Sequence, residues 1–180
     1  LDGEPRYDKP ILSYWFQALS LVSLKWLSPF IPIEVIGRLP SVIAGALWAF
    51  VLGRFAAKQT GKSVLGIFVS FALITTLGTL IISRAATADA LLNLLLALLF
   101  IDIASFIRAP SDKLRLRVFI WFAFGIMTKG PVAFLIPASA FVIWIVISRQ
   151  WPLFREAVSS IKAWSVFAAL LVPWLIGVSD

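Results

Sequence analysis

Isolated charged residues stand at the ends of long apolar runs in this 180-residue chain. A lysine or arginine at such a point can bind an anion, and an aspartate can accept a proton or pair with a cation. Charges beside hydrocarbon are costly, so those that remain there are candidates for function. The candidates are Asp8, Lys9, Arg38, Arg84, Asp89 and Lys129. If the chain threads so that they gather at one membrane face, that face is the active one.

The composition predicts an all-α polytopic membrane protein. Hydrophobic residues make up 61% of the chain and charged residues 14%, against about 45–50% and 25% in soluble proteins. The apolar residues form long runs, without the alternating segments of a membrane barrel. The chain has no Cys and no His, which excludes thiol catalysis, disulfides and the commonest metal ligand. The net charge of +7 is attributed to cytoplasmic loops and not to nucleic-acid binding.

Five to six membrane-embedded helices are expected, because a helical span needs roughly 20 apolar residues. Residues 63–83 contain no charge and are predicted to form one full span. Residues 118–148 are predicted to turn back at Lys129-Gly130-Pro131, with an outgoing limb that begins inside the preceding basic loop or sits in a dip lined by protein. One long tilted helix is the alternative. The other segments are 11–27, the stretch between Arg38 and Arg54, 90–107 and 163–179.

Basic loops predict the topology. Three clusters are expected on the cytoplasmic side by the positive-inside rule. Residues 11–27 must then enter the outer leaflet and return, or lie along the interface, and a polar stripe at i, i+4 and i+7 (Ser13, Gln17, Ser20) agrees with this. Asp102 is expected to pair with Arg108 or a neighbouring helix. The basic clusters are Arg54, Lys58 and Lys62; Arg108, Lys113, Arg115 and Arg117; and Arg149, Arg155 and Lys162.

Four motifs, in this order along the chain, resemble the GT-C polyprenyl-phosphate-sugar glycosyltransferases, which include protein O-mannosyltransferases and the lipid A aminoarabinose transferase. The resemblance implies that residues 1–10 end an external catalytic loop, 11–32 form a juxtamembrane or re-entrant helix and turn, and 33–180 form transmembrane helices of the core. The chain is then an internal fragment of a larger enzyme. The motifs are Asp8-Lys9-Pro10 before an aromatic run, Arg38-Leu-Pro-Ser41 opening a helix, Arg84-Ala-Ala-Thr-Ala-Asp89, and Gly125-Ile-Met-Thr-Lys-Gly-Pro131.

The resemblance implies an activity. A sugar would pass, with inversion, from a polyprenyl-phosphate carrier to a hydroxyl of a lipid, polysaccharide or protein acceptor, at the periplasmic face of a bacterial inner membrane. Such a reaction needs a carboxylate as general base and cations that stabilise the departing phosphate. The resemblance places the principal carboxylate upstream of Leu1.

The resemblance also implies residue roles. Lys9 and Arg38 would bind the donor phosphate, Arg84, Asp89 and Lys129 would line the acceptor side, and Asp8 matches an acidic position that can hold a divalent metal. Each also has a structural alternative. Lys9 would be an interface anchor, Arg38 a helix cap, and Arg84 with Asp89 a surface ion pair. Lys129 would cap a broken helix, and Asp8 would be a solvated loop acid. Two alternatives from other classes remain, a transporter or flippase of lipid-linked intermediates, and a structural subunit.

We expect cysteines introduced at Lys62 and Arg84 to react with a membrane-impermeant thiol reagent from opposite sides of the membrane. The predicted topology puts Lys62 in a cytoplasmic loop and Arg84 on the external face, and this chain has no native cysteine to add background. Labelling of intact and opened cells checks it. Reaction of both positions from one side would contradict the topology.

Overall fold

The computed structural model describes residues 11–179, which fold into helices and turns without a strand. Helices α2 and α5 are each long and apolar enough to span a membrane, and there are up to four spans if the bent pairs α3–α4 and α8–α9 each form one. The prediction of an all-α polytopic membrane protein is confirmed. The described helices are α1 Leu12–Ser23, the 3-10 turn Lys25–Leu27, α2 Ile33–Thr60, α3 Ser63–Thr75, α4 Leu77–Arg84, α5 Asp89–Arg108, α6 Asp112–Lys129, α7 Val132–Ser148, α8 Trp151–Val158 and α9 Ile161–Ser179.

The described chain divides into two compact units, and the boundary falls within α5. In the N-terminal unit, residues 11–97, α2 packs against α1, α3 and α4. In the C-terminal unit, which begins at residue 98, α6 packs against α7 and α9, and α7 contacts α8. Each unit therefore has a central helix, α2 in the first and α6 in the second.

Small residues hold α2 and α3 close together. A Cβ atom on Gly53 would lie 2.6 Å from the carbonyl oxygen of Gly66, and a Cβ on Gly66 would lie 2.6 Å from that of Gly53. Nearby, the hydroxyl of Ser70 donates a hydrogen bond of 3.0 Å to the carbonyl of Ala49. Close backbone approach at small residues is typical of helix pairs in membranes, where packing replaces the hydrophobic effect as the main attraction.

Residues 63–83, predicted to form one full span, are a bent pair of helices that together are long and apolar enough for one broken span. Helix α3 ends at Thr75, α4 begins at Leu77, and the two are bent by 64°. The hydroxyl of Thr75 donates to the carbonyl of Phe71 at 2.8 Å and that of Thr76 to Ala72 at 2.7 Å. Thr76 itself is extended, with ψ of 131°. Threonine hydroxyls that compete for helical carbonyls bend helices, and hydropathy does not record this effect.

The predicted turn at Lys129-Gly130-Pro131 is confirmed, and the single-helix alternative is wrong. Helix α6 begins at Asp112, inside the basic loop, which was one of the two expected arrangements, and ends at Lys129. Gly130 follows with φ of 70°, a conformation that favours glycine. Pro131 then starts α7, whose Phe134 ring packs 5.0 Å from that of Phe122 on α6.

Asp102 pairs with a neighbouring helix, which was one of the two partners predicted for it. The side chain is buried, accepts a hydrogen bond of 2.7 Å from Trp121 Nε1 and forms an ion pair of 3.0 Å with Arg117. Both partners lie on α6. A buried carboxylate requires such partners because its desolvation is otherwise uncompensated.

We expect Gly53→Ala to lower the free energy of unfolding by about 1–3 kcal/mol, the usual cost of overpacking. The added methyl group would meet the Ser70 hydroxyl and the Gly66 carbonyl. Gly78→Ala is the matched control, because no atom lies within 4 Å of its Cβ position, and in a helix it should be neutral or stabilise by up to about 1 kcal/mol. Thermal unfolding in detergent checks both, and equal midpoints for the two variants would contradict the close packing.

Candidate functional site

Polar side chains of α1 donate hydrogen bonds to backbone carbonyls at two places in the N-terminal unit where a helical hydrogen bond is missing. Pro40 lies inside α2 and has no N–H to donate to the carbonyl of Ile36, four residues earlier. The hydroxyl of Ser20 donates to that carbonyl instead, at 2.7 Å. The expectation that Arg38-Leu-Pro-Ser41 opens a helix is therefore wrong. Helix α2 begins at Ile33 and continues through Pro40, where Ser20 satisfies the carbonyl that Pro40 leaves unpaired.

The second place is the connection between α4 and α5, residues 85–88, which lies inside the motif Arg84-Ala-Ala-Thr-Ala-Asp89. Gln17 Nε2 donates to the carbonyl of Ala86 at 3.1 Å. Ser41 Oγ donates to the carbonyl of Thr87, also at 3.1 Å. Side chains from α1 and α2 thus hold this connection, and three of the segments that carry the family resemblance meet in the N-terminal unit.

Three charged candidates stand close in sequence to the residues that make these hydrogen bonds. Arg38 is exposed and lies one turn before Ser41 on α2. Arg84 is the last residue of α4 and is exposed, while Asp89 is the first residue of α5 and is half-buried. Two guanidinium groups and one carboxylate are therefore attached to the elements that Gln17 and Ser41 join. Guanidinium groups are the side chains best suited to bind phosphate or carboxylate.

A cavity of about 520 Å³ lies beside the joined segments, between α1, α2 and the start of α5. Its wall is mainly apolar, with residues such as Phe16, Leu39 and Leu91. The stripe of α1 contributes polar groups to the same wall, and Ser41 and Thr87 add two more. A largely apolar cavity with a few convergent polar groups is typical of a site for a small or lipid-like ligand.

The remaining candidates lie elsewhere. Lys129 belongs to the C-terminal unit, where it is exposed at the end of α6, next to the buried Thr128. Asp8 and Lys9 lie outside the described residues, so their predicted roles stay predictions. Within residues 11–179, no group of three or more His, Cys, Asp or Glu side chains is placed to hold a metal ion.

Gln17 and Ser41 are the site residues whose roles the sequence did not reveal. Both carried a signal, since Gln17 belongs to the polar stripe of α1 and Ser41 ends the Arg38 motif. Their partners are backbone carbonyls 69 and 46 residues away. Any side chain could stand at those partner positions, so residue types there give no pattern to detect.

The fold is that of a polytopic helical membrane protein, with a largely apolar cavity of about 520 Å³ and an exposed arginine, Arg38, on one of the helices that line it. The chain is similar to the undecaprenyl phosphate-α-4-amino-4-deoxy-L-arabinose arabinosyl transferase of Shewanella sediminis (strain HAW-EB3), with 27% identity over 188 aligned positions. The match covers 96% of this chain and 31% of that protein, so the chain spans about a third of its relative. No protein-family model matches the chain. No solved structure matches it either.

We expect Ser41→Ala to speed amide hydrogen exchange in residues 85–88 by about two- to tenfold, since one such bond contributes roughly 0.5–1.5 kcal/mol. Mass spectrometry of peptides covering α4 and α5 checks this. Ser139→Ala is the control, because the Ser139 hydroxyl donates only to Ile136 within α7 among the bonds described for residues 11–179. Unchanged exchange in Ser41→Ala would show that Ser41 does not hold the connection.

Proposed function

We propose that this chain is part of a membrane glycosyltransferase that takes its sugar from a polyprenyl-phosphate carrier. The observation that carries the proposal is the match over 96% of the chain to a transferase whose name specifies an undecaprenyl-phosphate donor. The meeting of three motif segments beside an apolar cavity supports it. The acceptor is a hydroxyl of a lipid, polysaccharide or protein, and the active face is the periplasmic side of an inner membrane.

The cavity of the N-terminal unit suits the isoprenoid end of such a donor. A water-sized group takes roughly 30 Å³, so about 520 Å³ holds some seventeen such groups, or about three isoprene units. The rest of the carrier would remain in the bilayer. Ser13, Gln17 and Ser20 on the wall would face the polar end of the chain, where the phosphate begins.

Lys9 and Arg38 would hold the phosphate. Arg38 is exposed on α2, and Lys9 precedes α1 by three residues in the sequence. Positive charge at the departing phosphate stabilises the transition state, because negative charge grows there as the bond to the sugar breaks. Arg84, Asp89 and Lys129 are assigned to the acceptor side, and Asp8 to a divalent metal. Inversion follows from a single displacement, with the general base upstream of Leu1.

A transporter or flippase of lipid-linked intermediates is the second candidate. The bends of 64° between α3 and α4 and 52° between α8 and α9 favour it, because broken helices are typical of transporters. Transfer and translocation differ in their product. The enzyme consumes the lipid-linked sugar and releases free carrier phosphate, whereas a flippase moves the intact lipid to the other leaflet.

We expect Lys9→Gln, and separately Arg38→Gln, to lower kcat/KM for sugar transfer by about ten- to a hundredfold in the full-length protein. A hydrogen bond to a charged group contributes roughly 1.5–3 kcal/mol. Lys62→Gln is the matched control, because Lys62 is an exposed lysine in the predicted cytoplasmic loop. Purified protein in vesicles with a polyprenyl-phosphate sugar, assayed for released carrier, checks this.

Activity of Lys9→Gln equal to that of Lys62→Gln would remove Lys9 from the donor site. Movement of intact lipid-linked sugar between leaflets, without release of carrier phosphate by the unmodified protein, would instead favour the flippase.

A further inference from the structure

A second cavity, of about 320 Å³, lies within the C-terminal unit. Its wall exposes only apolar atoms and is built largely from aromatic rings, among which Phe119 packs edge-on to Trp164 at 4.8 Å. This aromatic cavity has no role in the proposed transfer reaction. Its aromatic lining includes Phe106, Phe119, Phe122, Phe134, Phe154 and Trp164.

One side of the aromatic cavity adjoins two basic loops. Phe154 and Val158 of α8 line it, whereas Arg155, between them, is exposed. Trp164 Nε1 donates to the carbonyl of Val158 at 2.9 Å and joins the start of α9 to the end of α8. Residues 108–117 and 149–162, which contain or border these wall residues, carry seven basic and two acidic side chains. The apolar cavity therefore has a positively charged end.

Arg115 lines the cavity and is also one of these seven basic residues. Its side chain is only 13% exposed, and Nη1 donates to the carbonyl of Glu156 at 2.8 Å. Nη2 pairs with Asp112, whose carboxylate is 90% exposed and so largely solvated. The Nε–H is buried and has no hydrogen-bond partner among the described residues. A buried donor without an acceptor is costly, but this one is closed to a ligand, so a lipid phosphate would meet the 13% of the Arg115 side chain that stays exposed.

We propose that the aromatic cavity binds one acyl chain of an anionic phospholipid, with the lipid phosphate held at Arg115 and the surrounding basic loops. At roughly 30 Å³ for each water-sized group, a volume of about 320 Å³ takes about ten methylene groups, which is most of one acyl chain. Basic residues next to a membrane attract anionic lipids, and the rings provide the apolar wall. The site is separate from the donor cavity and does not depend on the proposed transfer reaction.

Filling the cavity tests the acyl-chain half of the proposal. Purified full-length protein in detergent is titrated with phosphatidylglycerol, and bound lipid is counted by native mass spectrometry. Ala138 lines the cavity on α7, whereas Ala140 on the same helix is exposed and outside the lining. Ala138→Phe should weaken binding by at least about tenfold, and Ala140→Phe should leave it unchanged. Equal binding by the two variants would overturn the proposal.

Changing the charge tests the headgroup half. The unmodified protein should prefer phosphatidylglycerol over phosphatidylcholine by about fivefold or more. Arg115→Lys should keep the preference because it keeps the charge, and Arg115→Gln should lose it. Equal binding of the two lipids by the unmodified protein would overturn the proposal.

A series of phosphatidylglycerols with longer acyl chains needs no variant and so is independent of folding defects. Affinity should rise up to about ten carbons and then level off, because further methylene groups find no room in the cavity. Affinity that does not change with chain length would contradict the site. Displacement of bound phosphatidylglycerol by polyprenyl phosphate at equal concentration would assign the cavity to the carrier instead.

Discussion

A backbone carbonyl that loses its helical partner in an apolar environment must find another donor, and the N-terminal unit is organised around that requirement. Pro40 removes the partner of Ile36, and the break between α4 and α5 exposes the carbonyls of Ala86 and Thr87. Side chains from α1 and α2 satisfy all three. In the polar stripe of α1, Gln17 and Ser20 therefore act as hydrogen-bond donors to the backbone of neighbouring segments. The same bonds join the segments that carry the charged candidates.

The C-terminal unit meets a related requirement for charge. Asp102 is buried with Arg117 and Trp121 as its partners, so α5 and α6 are joined by a compensated carboxylate. Arg115, two residues before Arg117, is bonded to the end of α8 but keeps one buried donor unpaired. The first arrangement is complete within the described residues and stabilises the unit, whereas the second leaves one buried donor without an acceptor.

The two cavities differ in size and in the side chains that line them. The cavity of the N-terminal unit is larger and has serine and glutamine side chains along its apolar wall. That of the C-terminal unit is smaller, aromatic and adjacent to basic loops. A long isoprenoid with a polar end suits the first, and a single acyl chain below a phosphate suits the second. The apolar walls of both cavities favour hydrocarbon ligands, which is why we propose an isoprenoid for one and an acyl chain for the other.

Local features of the sequence determined much of this molecule. The absence of charge over long runs predicted helical spans, and Gly130 with Pro131 predicted the turn between α6 and α7, because both residues constrain their own backbone. The interruption at Thr76 and the short helix α8 were not predicted, since hydropathy averages over hydroxyl competition and over short amphipathic segments. Only the tertiary structure decided which side chains satisfy the open carbonyls. Those bonds join residues up to 69 positions apart, and a carbonyl acceptor has no residue type by which the sequence could reveal it.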